Sequence, residues 1–255
     1  MEKTLEFPVL LRLIDERSIA FRAAVRSAPS LEAQVPTCPE WTLFDLVQHL
    51  GNVHRFWAAA VHAGPAATAP AGKGSEAAPR ELEALLAWSA ESTEQLLSAL
   101  RETGPDRECW TWWDTSQSPQ TSGAVARHQV QEATVHTYDA QITAGAAQPL
   151  PDEAVLDGVD EFLSTCVATT SPWPHEAVVL DLHVTEGRSW RLWLSAEGAR
   201  AARLPAPAQD APDASAQSTA AELVLVFYDR LPVDTLKVDG DRRPFEQLRD
   251  WDPDA

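Results

Sequence analysis

The spacing of apolar residues changes late in this chain of 255 residues, and that change constrains the fold more than any other feature. Up to about residue 167, apolar side chains recur every three or four positions, the pattern of amphipathic helices. After a Pro-containing segment at 169–176 they come in short runs, and in SWRLWLS (189–195) they alternate as in a strand. We therefore predict an α+β chain, with an antiparallel helical bundle at residues 1–170 and a small α+β domain with an antiparallel sheet at residues 171–255.

The first part contains five segments of helical periodicity. The second follows Thr42, a favourable N-cap residue, and Asp45 stands three residues later, where a capping-box acid is expected. A Pro/Gly/Ala stretch without periodicity at 63–79 is predicted to be a loop. The predicted helices span about 7–27, 43–61, 80–100, 124–144 and 152–167.

The last third is predicted to be mostly strands. An EGRS turn joins the first two apolar runs, and two short helical pieces are expected near 232–236 and 244–248. The Pro/Ala/Ser-rich segment 205–219 has low complexity and is predicted to be a loop. The predicted strands are 177–184, 189–195 and 222–227.

Charge and composition limit the class of protein. The net charge of −18 argues against nucleic-acid binding, because neutralising phosphate requires a basic face. The apolar stretches are far shorter than a membrane span, and the start, MEKTLEFPVLLRLIDERS, has acids inside its apolar part, unlike a signal peptide. Three widely separated cysteines, Cys38, Cys109 and Cys166, favour reduced thiols over a disulfide framework. A soluble cytoplasmic protein is predicted.

Three ionisable residues, His128, Glu132 and His136, are spaced four apart in the fourth predicted helix, so they share one face. Apolar neighbours border this face, and a buried ionisable group needs a partner or a metal. In the second helix, His49 and His54 are both flanked by apolar residues, and periodicity does not rank them. Imidazole and carboxylate from two helices suit a divalent transition metal such as zinc. A solvated helix face or a core histidine held by one hydrogen bond would explain the same spacing.

Several other catalytic patterns are disfavoured by the sequence. Gln131 precedes Glu132, so the HExxH motif of zincin proteases is absent. Val135 stands where a di-iron bundle would carry histidine, and no GxSxG elbow supports Ser/His/Asp catalysis.

The segment PTCPEWTLFDLVQHLGNVHRFW (36–57) resembles the signature of the actinobacterial mycothiol-dependent maleylpyruvate isomerase family. A second segment, EATVHTYDA (132–140), resembles the family's later helix, and residues 223–248 resemble the end of its second domain. The resemblance implies a DinB-like four-helix bundle followed by the family's C-terminal domain.

The resemblance also implies a set of zinc ligands, and it ranks His49 over His54. Two departures from the family pattern lie close to these positions. Glu40 replaces the usual Gly before Trp41, and Gln131 replaces a His that often precedes the ligand Glu. The implied metal ligands are His49, Glu132 and His136.

An enzyme that uses zinc, or another divalent transition metal, and mycothiol is the function that the resemblance implies. Three protein ligands leave a coordination position open, where a thiol would bind as thiolate. The thiolate would add to a conjugated cis double bond of a small electrophile, the bond would rotate, and elimination would release the trans isomer. Transfer of sulfur without elimination is equally compatible with the sequence. The alternatives are a non-catalytic, metal-stabilised binding or interaction protein of the same fold, and a metal-free helical ligand-binding protein.

Arg230 is the candidate contact for a substrate carboxylate, because arginine binds carboxylates in bidentate fashion. A surface arginine beside Asp229 is the alternative. Trp110, Trp112 and Trp113 are predicted to pack between helices or to line a pocket mouth. The identity of the substrate and the oligomeric state stay open.

Overall fold

The computed structural model describes residues 5–66, 77–204 and 211–252. The chain divides into two compact units. One comprises Met1–Trp112 and Gln120–Leu150, and the other comprises Trp113–Pro119 and Pro151–Ala255. The first unit is helical, and the second combines helices with a sheet.

Four long helices form the first unit, as the periodicity predicts. Helix α1 packs on α4 and α2 packs on α3, while α1 also contacts α3 and α2 contacts α4, which makes a four-helix bundle. A short antiparallel hairpin of β1 and β2 precedes α2. The elements are α1 (Phe7–Ser27), β1 (Gln34–Val35), β2 (Cys38–Thr42), α2 (Leu43–Ala63), α3 (Leu82–Thr103) and α4 (Ser122–Thr143).

The start of α2 has the predicted capping box. The Thr42 hydroxyl accepts a hydrogen bond from the backbone N–H of Asp45 at 3.3 Å, and the Asp45 carboxylate accepts one from the backbone N–H of Thr42 at 2.9 Å. These bonds satisfy N–H groups that a helix start leaves without intrahelical partners. They fix the point at which the chain leaves the hairpin and enters the helix.

Helices α2 and α3 approach closely at Gly51. A β-carbon at this position would lie 2.1 Å from Cζ3 of Trp88, so only glycine leaves room for the indole ring. The interior around this contact is filled by large apolar side chains, among them Phe21, Leu43 and Leu85, which are fully enclosed. Close packing of this kind holds the two helices at a fixed distance.

Helix α4 is buried around most of its circumference, with 15 of its 22 residues enclosed. A helix with no exposed stripe lies inside a bundle rather than on its surface. Its buried residues include several polar ones, such as Gln129, Thr134 and Asp139. Buried polar side chains cost free energy unless they find partners, so α4 is where polar contacts inside this unit concentrate.

The second unit contains a five-stranded sheet in the order β5-β4-β3-β6-β7. Neighbouring strands are antiparallel except for β3 and β6, which are parallel. The helix α5 continues into a five-residue π-helical segment, Leu163–Val167, and packs against α6. The elements are α5 (Asp152–Phe162), β3 (Val178–Val184), β4 (Ser189–Ser195), β5 (Gly198–Arg203), β6 (Ala214–Ser218), α6 (Ala220–Phe227), β7 (Lys237–Gly240) and α7 (Arg243–Asp250).

One ion pair is buried on the sheet. Asp181 on β3 lies directly opposite Arg191 on β4, and the guanidinium donates two hydrogen bonds to the carboxylate, at 2.7 and 2.8 Å. Both side chains are enclosed, so each compensates the charge of the other.

The α+β class is confirmed, whereas four details of the second part differ from the sequence prediction. Residues 222–227 belong to the helix α6 and not to a strand. Strand β6 occupies residues 214–218, inside the predicted loop at 205–219, whose first six residues lie outside the described part of the chain. Because β6 pairs in parallel with β3, the sheet is mixed. The boundary at residue 170 also differs, since α5 packs against α6 and therefore lies in the second unit.

The loop predicted at 63–79 lies mostly outside the described residues, because positions 67–76 are not described. Among the residues that the structure describes, no helix combines the length and the apolar character that crossing a membrane requires.

Candidate metal centre

Helices α2 and α4 bring His49, Glu132 and His136 together. One potential ligand atom from each residue lies within 4.8 Å of the other two. The carboxylate Oε2 of Glu132 is 3.3 Å from Nε2 of His136 and 3.8 Å from Nε2 of His49. The ring centroids of the two histidines are 5.0 Å apart. Within the described ranges, this is the one cluster of three His, Cys, Asp or Glu side chains with such spacing.

The direction of the two helices explains how residues so distant in sequence meet. Moving along α2 from His49 to Trp57, the partners on α4 run backwards from His136 to His128, whose ring lies 6.4 Å from that of Trp57. The two helices are therefore antiparallel. The four-residue spacing of the histidines and Glu132 on α4 keeps all three facing α2.

His128 lies one turn before Glu132 and does not belong to the cluster. Its Nε2 is 3.9 Å from Oε1 of Glu132, whereas the Nε2 atoms of His49 and His136 approach Oε2. Its imidazole is buried between the rings of Trp57 and Trp112, with its centroid 5.7 Å from that of Trp112. His128 therefore approaches a different oxygen of the Glu132 carboxylate from the one that His49 and His136 approach.

His54 has a different environment from His49. It is 1% exposed, and its Nδ1 lies 3.3 Å from the hydroxyl of Thr93 on α3. Burial lowers the pKa of His54 to about 3, so this imidazole is neutral. The structure thus places His49, and not His54, beside Glu132 and His136.

The electrostatics of the cluster favour positive charge. Burial would raise the pKa of Glu132, but the imidazoles of His136 and His49 outweigh burial and hold it well below the usual range. Burial would likewise lower the pKa of His136, but the carboxylates of Asp139 and Glu132 outweigh it and raise the value to about 9. The carboxyl groups of Glu132 and Asp139 therefore both face His136, and together they would stabilise a cation at this place.

Three neighbours of the cluster were not singled out by sequence. Asp139 is fully buried, and its Oδ2 lies 2.9 Å from Nδ1 of His136. Thr37, in the β1–β2 turn, donates a hydrogen bond to Oδ1 of Asp139 at 2.6 Å. The ring of Trp41 lies 4.6 Å from that of His49. The sequence could have indicated the contact between His136 and Asp139, because residues three apart are neighbours on a helix.

The cluster fits a divalent transition metal. Oε2 of Glu132 is enclosed and, among the residues that the structure describes, has no hydrogen bond of standard geometry, although buried carboxylate oxygens normally have one. Three ligands about 2.05 Å from a tetrahedral zinc ion lie about 3.4 Å from each other. The separations of 3.3 and 3.8 Å at Glu132 are close to that value. Two imidazole nitrogens and one carboxylate oxygen are also a ligand set that zinc accepts.

The other residues singled out by sequence have varied environments. Trp110 stacks on Trp57, at 6.2 Å between centroids, whereas Trp112 is 38% exposed. The Trp113 indole is buried and donates to the carbonyl of Pro119. Arg230 lies in the second unit after α6, and its guanidinium donates to the carbonyl of Tyr228 at 2.5 Å. Its role as a carboxylate contact stays a prediction.

In the described part of the chain, no disulfide joins Cys38, Cys109 and Cys166. Cys109 is buried, and burial raises the pKa of its thiol to about 11, so this residue is an inert thiol at neutral pH. Cys38 is partly exposed, and its Sγ lies 3.9 Å from Oδ2 of Asp139. Cys166 is also partly exposed.

The fold and the cluster define a two-unit protein in which a four-helix bundle carries a His/Glu/His group and an α+β unit follows. The chain belongs to the mycothiol maleylpyruvate isomerase family. Residues 11–141 match the family model described as the mycothiol maleylpyruvate isomerase N-terminal domain, and residues 153–247 match the family model of its C-terminal domain.

Solved structures agree with the fold. The chain is similar to a crystal structure of a mycothiol-dependent maleylpyruvate isomerase and to one of a histidine-to-alanine mutant of that enzyme. Each match has a TM-score of 0.60 and 15% sequence identity, and covers 94% of this chain and 96% of the other. Among curated proteins, none matches this chain at a significant level.

Proposed function

We propose that this protein is a metal- and mycothiol-dependent enzyme that acts on a small electrophile, by isomerisation or by sulfur transfer. The observation that carries the proposal is the convergence of His49, Glu132 and His136. Family membership supports the choice of thiol, and the donor atoms support the choice of zinc.

The ligands would be Nε2 of His49, Oε2 of Glu132 and Nε2 of His136, the atoms that approach each other most closely. Three protein ligands are typical of catalytic zinc, because the fourth position stays free for a reactant. When bound, the metal would lower the pKa of a coordinating thiol so that thiolate is present at neutral pH.

The exposure of the three residues is uneven, and it indicates the side from which a reactant approaches. The His49 side chain is 35% exposed and that of Glu132 is 20% exposed, whereas His136 is only 8% exposed. His136 thus lies on the inner side of the cluster, and His49 lies on the side that faces solvent. Trp41 covers part of that side with its ring. We infer that thiol and electrophile approach on the His49 side.

Both candidate reactions begin with the same bond. The sulfur of the thiol forms a bond to an electrophilic carbon of a conjugated double bond, and the electron pair of that double bond moves onto the conjugated carbonyl. In isomerisation, rotation follows, the carbon–sulfur bond breaks again, and the thiol is regenerated. In sulfur transfer, the adduct takes up a proton and is released. Neither route needs an oxidant or a reductant.

The test compares wild type with His49→Ala and Glu132→Ala, and uses His54→Gln as a matched control from the same helix. Metal content is measured by elemental analysis. Turnover is measured with mycothiol and maleylpyruvate, or with a panel of small electrophiles, and glutathione and a no-thiol reaction serve as comparisons. We expect wild type and His54→Gln to contain metal and to turn over with mycothiol.

Both ligand variants should lose metal and turnover while they keep the helical circular dichroism signal. Equal turnover in wild type and the ligand variants would mean that the cluster is not catalytic. Bound metal without turnover for any thiol would favour the non-catalytic, metal-stabilised protein instead. Absence of metal from wild type, even after incubation with zinc, would remove the basis of the proposal.

A further inference from the structure

Asp139 connects one histidine of the cluster to the hairpin that precedes α2. Its two carboxylate oxygens have different partners. Oδ2 lies 2.9 Å from Nδ1 of His136, and Oδ1 accepts a hydrogen bond of 2.6 Å from the hydroxyl of Thr37. The thiol of Cys38 approaches the same Oδ2 at 3.9 Å. Asp139 is fully buried, so these contacts take the place of water around its carboxylate.

The contact with His136 determines which imidazole nitrogen faces the cluster. A carboxylate accepts hydrogen bonds and does not donate them, so the proton of a neutral His136 is held on Nδ1. Nε2 then presents a lone pair to the side where Oε2 of Glu132 lies, 3.3 Å away. Without Asp139, the proton could equally reside on Nε2, where it would block a ligand position.

Helix geometry adds a second constraint. His136 and Asp139 are three residues apart on α4 and therefore lie side by side on the same face. Thr37 binds the other carboxylate oxygen, Oδ1, across a sequence separation of 102 residues. The carboxylate is thus fixed between a helix and a turn.

We propose that Asp139 is a positioning residue that orients His136 for metal binding, and that Thr37 holds Asp139 in place. This inference rests on the proposed metal centre. Carboxylates behind metal-bound histidines fix the orientation of the ring, and their loss typically costs about 10–100-fold in metal affinity. Asp139 acts through His136 and does not itself reach the ligand atoms of the cluster.

The same arrangement ties the β1–β2 hairpin to both helices that carry the cluster. Thr37 in the turn contacts Asp139 on α4, and Trp41 in β2 packs on His49 of α2. Thr42 then begins α2 through its capping box. The positioning role therefore extends to a segment that carries none of the three ligands.

The experiment measures zinc affinity of the full chain by competition with a chromogenic chelator, for wild type and four variants. Asp139→Ala removes the acceptor. Asp139→Asn keeps an oxygen that accepts from Nδ1 but removes the charge, and Thr37→Val removes the donor to Asp139 only. Thr137→Val is the matched control. Its hydroxyl is buried on the same helix and lies 2.6 Å from the carbonyl oxygen of Ala133 and 2.9 Å from that of Arg17.

We expect Asp139→Ala to weaken zinc binding by about 10–100-fold. Asp139→Asn and Thr37→Val should give smaller losses, and Thr137→Val should bind zinc like wild type. A second readout is independent of affinity. Nitrogen–proton correlation spectra of the zinc-loaded protein should show His136 with its proton on Nδ1 in wild type, and the signal of that proton should shift in Thr37→Val.

Unchanged zinc affinity in Asp139→Ala, with zinc bound to wild type, would overturn this inference and leave the proposed metal centre intact. A loss in Thr137→Val as large as that in Asp139→Ala would also overturn it, because it would indicate a general effect of stability. Failure of wild type to bind zinc would overturn both proposals. If Asp139→Ala does not fold, zinc affinities of Asp139→Asn and Thr37→Val equal to that of wild type would refute the positioning role.

Discussion

We expect the metal-free protein to lose stability as the pH rises from about 6.5 to 9, because His136 titrates differently in the folded and unfolded chains. Burial lowers the pKa of the folded His136, but the carboxylates of Asp139 and Glu132 overcome burial and raise it from 6.5 to about 9. Between these two values the folded protein holds a proton that the unfolded chain has released. The stabilisation is therefore complete below pH 6.5 and is lost as the pH rises through 9.

The size of the effect follows from the difference between the two pKa values. A separation from 6.5 to about 9 corresponds to roughly 3 kcal/mol, a large part of the 5–15 kcal/mol that is typical of a domain. Cys109 adds a further loss of stability only above about pH 9, because burial raises its pKa from 9 to about 11. Two other perturbed groups, Glu132 and His54, do not change the stability between pH 6.5 and 9. Glu132 is ionised in both states, since its folded pKa is held well below the usual value. His54 changes the pH dependence of stability only below pH 6.5, because burial lowers its pKa in the folded protein to about 3.

The assay is urea unfolding of chelator-treated protein at pH 6, 7, 8, 9 and 10, followed by tryptophan fluorescence and circular dichroism. His136→Gln is the control and should remove most of the dependence between pH 6.5 and 9. Zinc-loaded protein should show the opposite slope at a fixed zinc concentration, because the metal competes with the proton for His136. A metal-free stability that is constant or rises between pH 6.5 and 9 would refute this reasoning.

Three further predictions concern the two units separately. Gly51→Ala should destabilise the bundle by about 1–3 kcal/mol, because the added methyl would lie 2.1 Å from Trp88. Urea unfolding measures this cost, which should be smaller when Trp88 is also replaced by Leu. Thr42→Ala should cost about 1 kcal/mol by removing the hydroxyl that accepts from the Asp45 backbone N–H, and an unchanged thermal midpoint would contradict this. Asp181→Leu should cost about 3–5 kcal/mol, because it removes the carboxylate that accepts two hydrogen bonds from the buried Arg191. Adding Arg191→Met should restore most of the stability, and an additive double mutant would show that the pair is not coupled.

The helices of the bundle could be predicted from sequence because each has a long amphipathic pattern or a clear start signal. The first predicted helix agrees with α1, and the second begins at Leu43 as the capping pattern indicates. Helix α4 was identified through its length and its polar stripe, although it is buried on nearly all sides.

The run ELVLVF was interpreted as a strand because it is short, apolar and rich in β-branched residues. It forms helix α6 because Thr219 and Glu222 make a capping box, in which the Thr219 hydroxyl accepts from the backbone N–H of Glu222. The Thr-Ala-Ala-Glu sequence (219–222) is a capping-box pattern that predicts a helix start. The apolar run that follows it favoured a strand in the sequence analysis. A run of five apolar residues, such as 223–227, satisfies both patterns when it is buried on both sides.

Strand β6 could not be predicted from local sequence, because Ala214–Ser218 contains only Ala, Ser and Gln. These residues have little intrinsic preference for strands. The strand exists because β3 and β7 pair with it on both sides. Such pairing joins residues that are distant along the chain, and local composition carries no information about it.

The candidate site was partly predictable. The spacing on α4 placed His128, Glu132 and His136 on one face, and on α2 both His49 and His54 have apolar neighbours. Only the resemblance to the family selected Glu132 and His136 from the first set and ranked His49 over His54. Positions five apart on a helix point in different directions, and the direction of each becomes clear only when α4 and α3 are in place. Asp139 had the right spacing from His136, but its partner Thr37 lies in a turn whose position no local pattern reveals.

Helix α4 has a consequence for how this protein can change over time. The same helix supplies two members of the cluster and much of the interior, so a substitution that alters the chemistry there also opens a cavity or leaves a polar group without a partner. Trp41 and the partly exposed His49 lie on the outer side of the cluster and contribute less to the packed interior. Neutral drift and new substrate preferences are therefore more accessible at exposed positions of α2, away from His49 and from the hairpin residues Thr37, Trp41 and Thr42, while α4 tolerates little variation.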